Sequence, residues 1–299
     1  MTTELIFHGT GNSACLPNIA CLVAPPGAPR CMTCYSGANP GLSPNPHEAV
    51  KNRRRNTGAI LRVRDGRKDS ARVVVIDAGK SFVAAALEWF PKYGLSRIDG
   101  IVLTHAHADA MNGLDDLRCW TLQSVIQESI DIYLSQRTFE EVQRTFPYLV
   151  NKGMATGGGA VPEFQWHIIQ EYNDFEICGV LITPVLVQHG RYFGPVTDMI
   201  SPPLSPPLSP PLTAVSTPTL SRNGSFQTFG SFPFPHLSQA QFTSPAKPLA
   251  TPYLAFGFLL PKFLYLSDVS EIPSYTFDFL ACLPEWRKPQ VAVIDCLRP

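Results

Sequence analysis

Two histidines and an aspartate stand at alternate positions in His105-Ala-His107-Ala-Asp109, and Asp115 and Asp116 follow a few residues later. Imidazole and carboxylate donors in this mix suit zinc, manganese or iron. Side chains two apart in extended chain point to the same side, so both histidines reach one ion. His189 follows the apolar run 181–187, and Asp268 follows the apolar run 263–266. Strand ends at one edge of a sheet converge on a point, and a rigid scaffold fixes a metal in that way. A metal at such a point lowers the pKa of its water to near 7 and makes a hydroxide available for hydrolysis. Asp109 or Asp116 is then the expected group that orients or deprotonates that water. Asp115 and Asp116 have two readings: metal ligands or acceptors that orient the imidazoles, or caps of the next helix. His8, His47, His167 and His236 are read as structural side chains.

A second cluster of donors lies in the Pro-, Gly- and Cys-rich residues 21–47, read as irregular. Cys31-Met-Thr-Cys34 has the two-residue gap that suits tetrahedral zinc, and Cys21 lies ten residues upstream. Cys15 is a further candidate, and no fourth ligand is evident. Two phosphate-loop readings are set aside. Gly9-Thr-Gly-Asn-Ser13 is taken as a tight glycine turn, because Pro17 argues against a helix directly behind it. Asp77-Ala-Gly-Lys-Ser81 has the ending of a P-loop, but Val74 stands where that motif requires glycine.

The elements that must position these groups are an alternation of short apolar strands and amphipathic helices. Strands are predicted at 5–7, 59–63, 72–77, 101–103, 130–134, in series over 163–187, and at 253–260, 263–268 and 291–295. Helices are predicted at 82–93, stopped around Gly94, at 138–146 with Thr138 as N-cap and Glu140 and Glu141 in the first turn, and within 274–283.

Residues 195–252 break the pattern. They hold nearly half of the 29 prolines, with Ser-Pro-Pro-Leu repeated at 201–204, 205–208 and 209–212. This composition cannot build a regular core, so the stretch is expected to be a disordered or polyproline insertion. Its proline motifs at 201–212 are a candidate docking site for a proline-reading partner. The 24 basic and 24 acidic residues balance, which argues against a nucleic-acid partner. No secretory start and no long apolar run are present, so the expected location is cytoplasmic or nuclear, with no membrane span.

Taken together, Thr104-His-Ala-His-Ala-Asp109, Gly113-Leu-Asp-Asp-Leu-Arg118, Gln188-His189-Gly190 and Tyr265-Leu-Ser-Asp268 resemble the metallo-β-lactamase superfamily. The branch they most resemble contains the cyclic phosphodiesterase PhnP. The resemblance implies an α/β (α+β) fold, the αββα four-layer sandwich, with 1–299 as one domain around the 195–252 insertion. It implies a first ion on His105, His107 and His189, with Asp268 bridging to a second held by Asp109. It implies a structural zinc on Cys21, Cys31 and Cys34. The implied activity is that of a metal-dependent hydrolase, a phosphodiesterase on a small phosphate ester or cyclic phosphate, using one or two zinc or manganese ions. Two departures are visible. Ala110 stands where the family usually has histidine. The chain also reaches Pro299 about where the family continues into a further ligand histidine, so a C-terminally short domain with an incomplete second site is expected. The rival expectation is a non-catalytic metal-binding sandwich with a docking insertion.

Overall fold

The computed structural model describes residues 2–25, 27–66, 71–192 and 251–294. The chain divides into Met1–Gly190 with Pro252–Pro299, and Arg191–Thr251. Of the second unit only residues 191, 192 and 251 are described. The insertion expected at 195–252 therefore lies outside the described residues, apart from 251 and 252. The docking motifs at 201–212, His236 and the chain end from 295 lie outside them entirely.

Among the described residues, eleven strands form two sheets. The first contains β1 (Thr2–Gly9), β2 (Gly58–Arg64), β3 (Arg72–Ile76), β4 (Gly100–Val102), β5 (Ile130–Leu134) and β6 (Phe164–Ile168), in that order. The second contains β7 (Phe175–Ile177), β8 (Val180–Tyr192), β9 (Thr251–Leu260), β10 (Phe263–Leu266) and β11 (Val291–Ile294), ordered β11-β10-β9-β8-β7. β1–β2–β3 pair antiparallel, while β3, β4, β5 and β6 run parallel. Parallel neighbours need a crossover, and the helix Phe82–Tyr93 supplies it between β3 and β4.

Strand alternation builds two cores. Val73 and Val75 of β3 pack with Phe82, Phe90 and Trp120 under the helices, while Val74 and Ile76 pack with Ile182, Phe258 and Tyr265 against the second sheet. Covered on both faces, β3 and β4 read as unbroken apolar runs. The helix Phe82–Tyr93 buries Phe82, Ala85, Ala86 and Phe90. It ends at Gly94 in the left-handed region (φ 62°), where the amide of Leu95 returns to the carbonyl of Phe90 at 2.8 Å. On the second sheet, the helix Ser274–Ala281 is tied down through Thr276, whose hydroxyl donates to the carbonyl of Leu186 at 2.7 Å. The arrangement is the expected mixed α/β sandwich of two sheets with helices.

Several local expectations are corrected. Residues 21–47 are not irregular: short helices occupy Ile19–Leu22, Met32–Ala38, Pro40–Leu42 and Pro46–Val50. Asn18 and Asn45 cap two of them, and proline stands in the first turn of the last two, where it costs no hydrogen bond. The helix predicted from Thr138 runs Gln136–Thr145, because Ser135 is the N-cap and its hydroxyl takes the amide of Thr138 at 3.1 Å. β8 continues through His189 instead of stopping before it. His8 is structural as read: buried beside Phe82, with burial pulling its pKa down to about 4.

The turn after β3 positions the histidine loop. The amide of Ala78 donates to the carbonyl of Ala110 at 2.8 Å, and the amide of Lys80 to that of Ala108 at 3.2 Å. Between them Gly79 lies flat against the backbone of Asp109, where a Cβ would sit 1.8 Å from the carbonyl oxygen. Gly79→Ala forces that backbone apart, and overpacking of this kind costs about 3 kcal/mol. A urea melt of Gly79→Ala should show that loss, and a variant as stable as the parent would contradict the close packing.

Candidate metal centre

Three imidazoles converge where β4 and β8 end. His105 and His107 follow the carboxyl end of β4, and His189 lies within β8 close to its carboxyl end. Their donor nitrogens all lie within 4.8 Å of one another. Ring centroids are 4.6 Å apart for His105 and His107, 4.8 Å for His105 and His189, and 5.0 Å for His107 and His189. His107 Nδ1 faces His189 Nε2 at 3.1 Å. The strand end bearing His189 is held by the loop after β10. The amide of Ser270 donates to the carbonyl of Gln188 at 2.7 Å, and that of Gly190 to the Ser270 hydroxyl at 2.9 Å.

His105 is buried, and its orientation is set by a relay. Asp77, at the end of β3 with φ 62°, accepts the Thr104 amide and the Thr104 hydroxyl, both at 2.8 Å. With its proton on Asp77, the Thr104 oxygen accepts from His105 Nδ1 at 2.8 Å. That leaves Nε2 as the lone-pair nitrogen, and this buried atom has no hydrogen-bond partner. Burial pulls His105 well below the usual imidazole range, and His107 and His189 lower it further. A neutral ring with an unpartnered inward lone pair is what a metal ligand requires.

The carboxylates lie beside this group. Asp77, Asp109 and Asp268 are all buried. Burial holds Asp77 well above the usual carboxylate range; the two Thr104 bonds oppose that shift, while Asp268 and Asp109 add repulsion. Buried carboxylates crowded on Asp77, beside two imidazoles whose burial favours the neutral ring, make a group of donors that a divalent cation would stabilise. The donor set and the orphaned nitrogen therefore fit a transition-metal ion.

Not every expected residue joins the cluster. Asp109 and Asp268 carry no oxygen within the 4.8 Å group formed by the three histidines. Asp109 instead accepts the Ser13 hydroxyl. In the segment that leads to Ser13, expected as a tight glycine turn, Gly9 closes β1, Gly11 bridges to Asn56 and the turn falls at 13–14. Gly9 and Gly11 pass so close to the 54–56 backbone that a Cβ would meet Asn56 O at 1.8 Å and Arg54 O at 2.6 Å. Asp115 is not the acceptor that orients an imidazole: it pairs with Arg118 and accepts the Tyr148 hydroxyl at 3.1 Å. Asp116 shares its one-turn helix, Asp115–Leu117, and no hydrogen bond joins it to the histidines among the described residues. Asp77, Thr104 and Ser13 are the positioning groups that motif reading passed over. For Asp77 the available signal was an acidic residue directly after the apolar run 73–76.

A second group of donors forms as expected. The sulfurs of Cys21, Cys31 and Cys34 lie within 4.8 Å of one another, while Cys15 lies outside the group. Cys31 caps the helix Met32–Ala38 and Cys34 is buried in its first turn. Backbone N–H donation at that helix start, Cys34 first, holds the Cys31 thiol below its usual value. Hydrogen bonding to Cys34 pushes Cys21 up to about 11.

Residues 72–209 match the family model of the beta-lactamase superfamily domain. Among solved structures, the chain is similar to a diphosphatase from the PhnP family, with TM-score 0.54 and 21% identity over 94% of this chain and 70% of that one. It is also similar to Zn(2+)-bound PqqB from Methylobacterium extorquens, with TM-score 0.53 and 13% identity over 98% of this chain and 72% of that one. At these identities the likeness concerns the fold. An octanoyltransferase of Porphyromonas gingivalis is 23% identical over 188 residues, 62% of this chain but only 31% of that protein. Among the described residues no helix is long and apolar enough to cross a membrane.

The relay makes a direct prediction. Thr104→Val removes the hydroxyl between Asp77 and His105, and loss of such an outer partner costs roughly 10–100-fold in metal affinity. Zinc titration should show that weakening, with Thr104→Ser close to the parent. Equal affinity for all three proteins would refute the relay.

Proposed function

We propose that the protein is a metal-dependent hydrolase, a phosphodiesterase acting on a small phosphate ester or cyclic phosphate. The observation that carries the reading is the buried, unpartnered His105 Nε2 facing two further imidazoles. His105, His107 and His189 would hold the first ion, and Asp268 and Asp109 would serve a second. A divalent ion there supplies Lewis acidity and lowers the pKa of water. The chain's own residues do the rest. Thr104 and Asp77 keep His105 in one tautomer. Ser13 steers the Asp109 carboxylate, which orients the attacking water and takes its proton. The similarity of fold to the PhnP-family diphosphatase supports phosphorus as the reacting centre. Zinc is the proposed ion for the cysteine group, and zinc or manganese for the histidines.

The rival reading, a non-catalytic metal-binding sandwich, is favoured by the exclusion of Asp109 and Asp268 from the 4.8 Å group. One assay separates the two. Zinc- or manganese-loaded protein should hydrolyse bis(p-nitrophenyl) phosphate or a cyclic nucleotide. Chelation should abolish turnover, readdition of metal should restore it, and His105→Ala should fall to background. Turnover that survives His105→Ala would sink the hydrolase reading, and a fully loaded protein inert on every phosphodiester would favour the rival.

A further inference from the structure

The three imidazoles are not held in the same way. His105 is buried and locked through Nδ1 by Thr104. His107 is exposed, and its Nδ1 is directed at His189. Metal-binding histidines are ordinarily fixed by a hydrogen bond from the other ring nitrogen to a carboxylate or carbonyl. Among the described residues, His107 Nε2 has no such acceptor. An exposed ring with one free nitrogen would rotate unless its face were packed.

Tyr253, third residue of β9, packs it. Its ring lies 4.8 Å from that of His107 at an interplanar angle of 14°. The same ring meets His105 edge-on at 6.1 Å and His189 edge-on at 5.9 Å, so one aromatic side chain borders all three imidazoles. Tyr253 cannot swing freely. It is 9% exposed, and its hydroxyl accepts the amide of Ala106, the residue before His107, at 3.2 Å. Ring and loop therefore move together. The Arg137 guanidinium also lies over the ring, 5.2 Å from its centroid, a cation–π contact.

We propose that Tyr253 is the positioning residue of the triad: its ring face sets the plane of His107 and takes the place of the missing hydrogen bond. The inference rests on the reading of the triad as a metal centre. It asks for a flat ring at position 253, whereas a merely structural side chain would need only volume.

Zinc titration of the full chain, followed at the imidazole nitrogens by long-range proton–nitrogen NMR, reads the triad without interference from the cysteines. Tyr253→Phe keeps the face, and its affinity should stay close to the parent. Tyr253→Leu removes the face, and the triad should bind zinc roughly tenfold or more weakly, as for loss of an orienting partner. Tyr253→Met fills the space with a flexible chain and should resemble the Leu variant, which guards against a Leu variant that fails to fold. Parent-like affinity in a folded Leu or Met variant would overturn the inference alone. Equal weakening in Tyr253→Phe would overturn it too, by assigning the role to the hydroxyl. A parent whose imidazole signals ignore zinc would overturn both this inference and the metal-centre reading.

Discussion

The metal centre depends on one buried carboxylate. Asp77 closes β3 in the left-handed region and is 1% exposed, an arrangement that costs both backbone strain and desolvation. Its return is two hydrogen bonds to Thr104, one to the amide and one to the hydroxyl. The first anchors the backbone at the exit of β4. The second passes through the hydroxyl to His105 and chooses which of its nitrogens faces inward. Backbone conformation, tautomer and donor direction are thus coupled through one side chain. The same turn continues into Ala78, Gly79 and Lys80, which clamp the short helix Ala108–Met111 that carries Asp109. Because β3 and β4 are parallel neighbours, their carboxyl ends lie together, so the fold delivers this coupling without a long loop.

Much of this was legible in the chain, for identifiable reasons. Alternate histidines at the end of an apolar run can hardly be read otherwise than as donors, and His189 and the three cysteines fell where their spacing placed them. Strand patterns located β3 and β4, because burial on two faces leaves apolar runs there, while the pairing of strands into two sheets came only from the family resemblance. What escaped was whatever depends on contacts between distant segments. Ser13 reaches Asp109 across 96 positions and Tyr253 reaches Ala106 across 147. No local pattern carries such pairings. Asp77 was hidden for another reason: it opens Asp77-Ala-Gly-Lys-Ser81, a stretch that imitates a phosphate loop. The cysteine region was misread as irregular because Pro and Gly suggest loops, while here proline starts two one-turn helices at no cost.

The roles of the acidic residues are sharper than their clustering suggested. Asp115 belongs to a surface pair with Arg118, in the turn after the site. Asp109 and Asp268 are buried close enough to Asp77 to raise it, yet stand outside the imidazole group. The histidines and carboxylates are thus two neighbouring groups of donors: three convergent imidazoles, and buried carboxylates that crowd Asp77.

The central claim is that Asp77, acting through Thr104, makes His105 Nε2 a metal donor. Long-range proton–nitrogen NMR of the zinc-loaded protein tests it most directly, because the two imidazole nitrogens are read separately. The account predicts a proton on His105 Nδ1 and a zinc-shifted Nε2, with His107 bound through Nδ1. A proton on His105 Nε2, or a spectrum unchanged by zinc, would contradict it.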